Sequence, residues 1–169
     1  MTTNESGTKK KRARFPARGS IVTRKYPVDE IKRGDDESDE DFATRQAWVD
    51  AMACAEIGVK LLSRDQIIEL RHAKTVWAVA EEKRKAEAEA KGERVLAFTA
   101  EGALGLREWC RRVVVATIHS LKNIDFGETP SEEMTGERLA DAIDGIGLLA
   151  DFAKIGLDAQ DPTPQQLEH

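Results

Sequence analysis

The stretch Leu106–Asn123, LREWCRRVVVATIHSLKN, constrains the fold more than any other. Leu106, Cys110, Val113, Thr117, Leu121 and Ile124 recur at steps of three and four, and Trp109, Val114 and Ile118 flank that line. The spacing predicts one long helix whose apolar face is too wide to be covered from a single side. Partner helices are therefore required. Val113, Val114 and Val115 follow one another and point three ways around a helix. At least one of them must meet something beyond the other helices, which makes Val114 and Val115 candidates for a partner or self-association surface.

The rest of the chain supplies those partner helices. A first helix starts between Ser38 and Asp41, where the Ser38 hydroxyl accepts from a free backbone N–H and the acidic residues favour the positive helix end. Trp48, Met52, Ala55, Val59 and Leu62 continue it as a stripe. Ser63-Arg64-Asp65-Gln66 matches a capping box and opens a second helix with Ile67, Leu70, Lys74, Trp77 and Ala80 on one face. Its charged continuation, Glu81–Lys91, reads as a solvated helix surface ending at Gly92, and Thr99 caps the central helix. Thr129-Pro130-Ser131-Glu132 marks a short helical turn, followed by a last helix from about Thr135 to Ala159 that carries Leu139, Ile143 and Ile146. The expected fold is all-α, a small bundle of about four main helices with an extended N-terminal arm. Ser20–Ile31, interrupted by Pro27, is limited to a short edge strand or an extended arm. The chain thus divides into a basic, largely extended or disordered arm and acidic linker (1–37), a helical domain (38–160) and a tail (161–169).

Charge restricts the chemistry. The net charge is −5, yet Lys9, Lys10, Lys11, Arg12, Arg14 and Arg18 make the first segment basic and Asp35, Asp36, Glu37, Asp39, Glu40 and Asp41 make the next one acidic. Nucleic acid is thus a partner only for the arm, where Lys9, Lys10, Lys11, Arg12 and Arg14 would contact phosphate. No apolar run approaches the ~20 residues of a membrane span, and no signal-type segment opens the chain, so the expectation is a cytoplasmic protein, in the host cytoplasm if the chain is viral. Cys54 and Cys110 read as small buried hydrophobes. His72, His119 and His169 are scattered, and no nucleophile, phosphate-loop, HExxH or EF-hand pattern is present. No enzyme activity, cofactor or metal is expected. Trp48, Trp77 and Trp109 fall on or beside apolar stripes. An exposed one would anchor a protein partner, with Trp48 and Trp77 the candidates.

Four stretches carry a family resemblance: SIVTRKYPVDEI, LLSRDQIIELRHAK, RVVVATIHSLKNIDFGETPSEE and ERLADAIDGIGLLADFA. Their order resembles the tail assembly chaperones of tailed bacteriophages. Those are small, mostly helical proteins that coat the tape measure protein while the tail tube polymerises. The resemblance implies an assembly factor that shields apolar helices of a tape measure-like partner. The charged extension Glu81–Lys91 and the basic arm depart from that pattern. The alternative is a nucleic-acid-binding or packaging-associated virion protein that uses the arm. Removing residues 1–19 is expected to leave the helical content of the remainder largely intact. Circular dichroism showing loss of most helix would contradict the reading of that segment as an independent arm.

Overall fold

Local signals set most helix starts. A computed structural model describes residues 16–95 and 97–161. Helix α1 (Asp39–Ala53) begins at Ser38, whose side chain accepts from the Asp41 N–H. Helix α2 (Arg64–Ala90) begins at the Ser63–Gln66 capping box, with both reciprocal bonds present. Helix α3 (Ala100–Thr117) begins at Thr99, which accepts from the Gly102 N–H. At the end of α2 the Gly92 N–H donates to Glu89 O and the Glu93 N–H to Ala88 O, the paired bonds of a Schellman stop.

The all-α expectation is overturned by five strands. Strands β1 (Ile21–Lys25), β2 (Glu56–Lys60) and β3 (Ile118–Lys122) form an antiparallel sheet in the order β1-β2-β3. Strands β4 (Asp125–Phe126) and β5 (Thr129–Pro130) make a small second ladder, and Ser131–Glu133 is a single 3-10 turn. The protein is a helix-dominated mixed α/β fold. β1 fulfils the edge-strand reading of Ser20–Ile31, so part of the segment read as an arm belongs to the sheet.

Two stripes assigned to helices are strands. The first helix stops at Ala53, and Glu56–Lys60 alternates: Ile57 and Val59 are fully buried, while Glu56 and Lys60 reach solvent. The apolar series Ile57, Val59, Leu61 fits period two as well as Ala55, Val59, Leu62 fits a helix, and β-branched residues around Gly58 favour the strand. The central helix stops at Thr117, where β3 begins. Ile118 and Leu121, three residues apart, are both buried. A regular strand would place them on opposite faces. The register shifts between Gly58 and Val59, so that Gly58 pairs with Ser120 and Val59 with Ile118, leaving His119 as an extra residue. This β-bulge brings Ile118 back to the buried face and imitates helical spacing.

The last helix is also two. α4 (Gly136–Gly145) and α5 (Leu149–Asp158) are separated by Gly147, at φ +75°. The Gly147 N–H donates to Asp144 O at 2.9 Å and the Leu148 N–H to Ile143 O at 3.2 Å, a second Schellman stop whose left-handed residue favours glycine.

α3 packs against α2, α4, α5 and strands β2 and β3. Val113, Val114 and Thr117 are shut off from solvent on all sides, in one cluster with Ile57, Leu121, Leu139, Ile143 and Phe152. Trp109 Nε1 donates to Leu70 O at 2.9 Å, tying α3 to α2. The C-terminal end is tied to the sheet by buried Gln160: its Oε1 accepts from the Leu62 N–H at 2.8 Å, and its Nε2 donates to Lys60 O and Gly156 O. Among the described residues, no helix is long and apolar enough to cross a membrane.

The α3–α5 contact is close. A Cβ added at Gly156 would overlap the Thr117 side chain, which is fixed by donation from Oγ1 to Val113 O at 2.7 Å. Gly156→Ala is expected to destabilise the protein by about 1–3 kcal/mol, the range for overpacking a closed core, despite alanine's better helix propensity. Adding Thr117→Ala should recover part of that loss. Urea unfolding of the single and double variants checks both statements.

Candidate functional site

On α3, Ala103, Leu106 and Cys110 recur at three- and four-residue steps along the helix. They floor one side of a cavity of about 270 Å³, with Gly147, Leu149 and Ala150 across from them and Phe98 at one end. The glycine stop between α4 and α5 contributes Gly147 to this lining. Arg107 and Asp144 guard the rim, with Arg107 Nε within 3.1 Å of Asp144 Oδ1 and 3.0 Å of Oδ2. Hydrogen bonding from Arg107 holds the Asp144 carboxyl below its usual range, so this rim pair stays ionised. Burial pushes the Cys110 thiol up, with only a partial offset from Lys74. Cys110 is therefore a protonated apolar floor residue and not an activated nucleophile.

Phe98, which lines the groove, is exposed, and so are Leu104 and Ile146, the chain neighbours of the lining residues Ala103 and Gly147. Leu104 is 65% exposed, Ile146 47% and Phe98 44%. A second series, Ile68, Val76 and Val79, lies exposed along α2. None of these was singled out as a surface residue by spacing alone.

The sequence candidates fall into separate settings. Val114 is 1% exposed and buried in the core, so it has no surface to offer a partner. Val115 is half-buried and lines a second groove of about 280 Å³ between α2 and α3, whose walls include Glu69, Glu108, Arg111 and Arg112. Trp77 is half-buried; its Nε1 donates to Gly102 O at 2.9 Å and its ring lies 5.6 Å from that of Phe98. It ties α2 to α3 beside the apolar groove. Trp48 is 45% exposed and meets the Tyr26 ring edge-on at 6.1 Å. Tyr26 donates to Asp151 Oδ2 at 2.8 Å, and burial together with that bond pushes its pKa up to about 12, so the phenol remains a donor. His72 and His119 are both exposed and stand on different elements. Lys9, Lys10, Lys11, Arg12 and Arg14 lie outside the described residues. Among the described residues no group of three or more His, Cys, Asp or Glu side chains is placed to hold a metal ion.

Glu81 was missed. The charged run it opens reads as solvated helix, yet Glu81 is 1% exposed. It accepts from the Thr99 N–H at 2.6 Å, from Thr99 Oγ1 at 2.7 Å and from Arg84 Nε at 3.0 Å. A carboxylate thus sits at the N-terminus of α3 and locks the far half of α2 to it. The signal was present: Ile67, Leu70, Lys74 and Trp77 extend at the same steps to position 81.

No protein-family model, curated protein or solved structure matches this chain.

Burial favours the neutral form of Glu81, but the bonds from Thr99 and Arg84 outweigh it and hold its pKa below the ordinary value. A carboxyl group with a depressed folded-state pKa adds stability that is complete above the unfolded pKa and is lost as pH falls through the folded one. The stability difference between wild type and Glu81→Gln should therefore be full at neutral pH and shrink as pH drops below the ordinary glutamate value of 4.5. Urea unfolding between pH 7 and pH 3 measures it, and a constant difference across that range would contradict the assignment.

Proposed function

We propose that this chain is a non-enzymatic protein-interaction and assembly factor that shields apolar helices of a partner, in the manner of the phage tail assembly chaperones it resembles. The observation that carries this reading is the apolar groove beside α3, lined by Phe98, Leu106, Cys110, Leu149 and Ala150, with exposed Leu104 and Ile146 next in the chain to its lining residues Ala103 and Gly147. Large apolar side chains clustered around a concavity suit an amphipathic helix laid into a groove. The Arg107–Asp144 pair at the rim supplies polar contacts without placing an unpaired charge on the floor. The mechanism is protection: the partner's apolar face rests here until it is handed to the growing assembly. Self-association would use the same face in competition with the partner.

The partner's chemistry is that of a long helical protein with repeated apolar faces, such as a tape measure-like chain. Leu104 and Ile146 are exposed, so replacing both with aspartate removes apolar surface without opening the core. Leu104→Asp/Ile146→Asp is expected to weaken binding of a co-expressed tape measure-like helical protein at least tenfold while leaving the thermal unfolding midpoint nearly unchanged. Co-purification with mass and stoichiometry determination provides the readout. Undiminished binding would move the partner surface elsewhere, and the α2 series Ile68, Val76 and Val79 would be the next to substitute.

A further inference from the structure

The segment between β1 and β2 is built differently from the rest of the molecule. β1 and β2 pair directly, with Lys25 opposite Glu56 in register and their side chains 3.3 Å apart. Everything from Tyr26 to Ala55 is therefore an excursion from a hairpin whose neck the sheet already holds. α1 is half of that excursion, and only Met52 in it is buried. Its sequence has no core-facing stripe of the kind that anchors α3.

The polar contacts of this excursion close on themselves. Arg45 donates to Glu37 Oε1 at 2.8 Å and to Lys32 O at 3.0 Å, and Arg33 donates to Glu37 O and pairs with Asp39. The Gly34 N–H donates to Glu37 Oε2, Ser38 bonds Asp41, and Gln46 bonds Asp50. Among the described residues, every side-chain hydrogen bond and ion pair made by residues 32–50 stays within those residues. Ile31, Phe42 and Val49 are half-buried yet do not join the main core. No other helix or strand packs extensively along α1.

The attachment to the body is correspondingly small. Trp48 leans on the Tyr26 ring, Met52 enters the core, Val28 packs half-buried against that core beside the neck, and Asn123 Nδ2 donates to Cys54 O at the point where the chain rejoins the sheet. Behind Tyr26 lies Phe152, with ring centroids 5.8 Å apart.

We propose that residues 27–54 form a hinged cap that opens as an intact unit on the Lys25–Glu56 neck, withdrawing Trp48 and Met52 and uncovering the aromatic surface of Tyr26. Opening breaks no sheet hydrogen bond, because both hinge ends lie outside the paired residues. It breaks none of the cap's own polar knot either. Such a sub-global opening belongs to the low end of the protein's local stabilities, while α3 and β2 open only with the whole. The device is independent of the groove beside α3, so either proposal stands if the other fails.

Methionine oxidation reads the opening, because peroxide reaches a buried thioether only when its cover moves. In the closed structure Met52 is 3% exposed and Met134 7%, so static exposure ranks Met134 as the more reactive. The cap predicts the reverse. In the native full-length protein under dilute hydrogen peroxide, Met52 should oxidise at least tenfold faster than Met134, as read by peptide mass spectrometry. Trp48→Ala should speed Met52 further, by severalfold, with Met134 and the far-ultraviolet helix signal unchanged. Hydrogen exchange should still show α1 amides protected relative to an unstructured chain, because the helix persists when the cap is open. Equal rates for the two methionines would overturn the proposal. So would loss of α1 amide protection in step with Met52 oxidation, since the segment would then be melting instead of swinging.

Discussion

Thr117 against Gly156 is the contact on which the arrangement of layers depends. Thr117 is the last residue of α3 and is completely buried. Because Gly156 carries no side chain, α5 approaches α3 near the point where the helix gives way to β3. That approach places Phe152 and Ala153 in one buried cluster with Val113, Val114 and Ile118, the first residue of β3. β3 in turn orders β2, and β2 orders β1. A helix and a sheet thus share one core through a single junction. The Thr117 hydroxyl, which would otherwise be a buried polar orphan, is satisfied by its own helix.

How much of this was legible in the sequence depends on the physics of each element. Caps were readable because they are local: Ser38, Ser63, Thr99 and Gly92 act through bonds within a few residues. Strands were not, because burial at steps of three and four has more than one cause. The bulge at His119 gave a strand the spacing of a helix, and Ala55, Val59 and Leu62 span a strand and its exit while keeping that spacing. The division between α4 and α5 was visible as glycines but not as a stop, since glycine within a helix is also compatible with close packing, as Gly156 demonstrates.

The candidate site was less legible than the fold. Val114 pointed outward only while the sheet was absent from the expectation; in the fold it is covered from within the chain, and of the three valines Val115 alone stays half-buried on a groove. Glu81 was hidden by its type, because a carboxylate in a charged run ordinarily faces water. Its burial becomes intelligible only through Thr99 and Arg84, and one of those partners lies across a loop. The apolar surface around Leu104 and Ile146 arises between elements, so no single periodic stretch announces it. The resulting molecule has two grades of construction: a tightly interlocked body around α3, and segments whose polar bonds are mostly their own.

Gln160 gives the body a temporal property. Its side chain satisfies the Leu62 N–H and the Lys60 carbonyl, and its own carbonyl accepts from Arg18, so one residue near the end of the described chain completes contacts made by the first strands. Until that residue is available, the exit of β2 holds an amide with no protein partner in a site that excludes water. The corner therefore stays unfinished until segments separated by 98 to 100 positions meet, however well the helices have formed. Closure of the fold is thus a long-range event: the exit of β2 is sealed only when the segment that follows α5 docks on it.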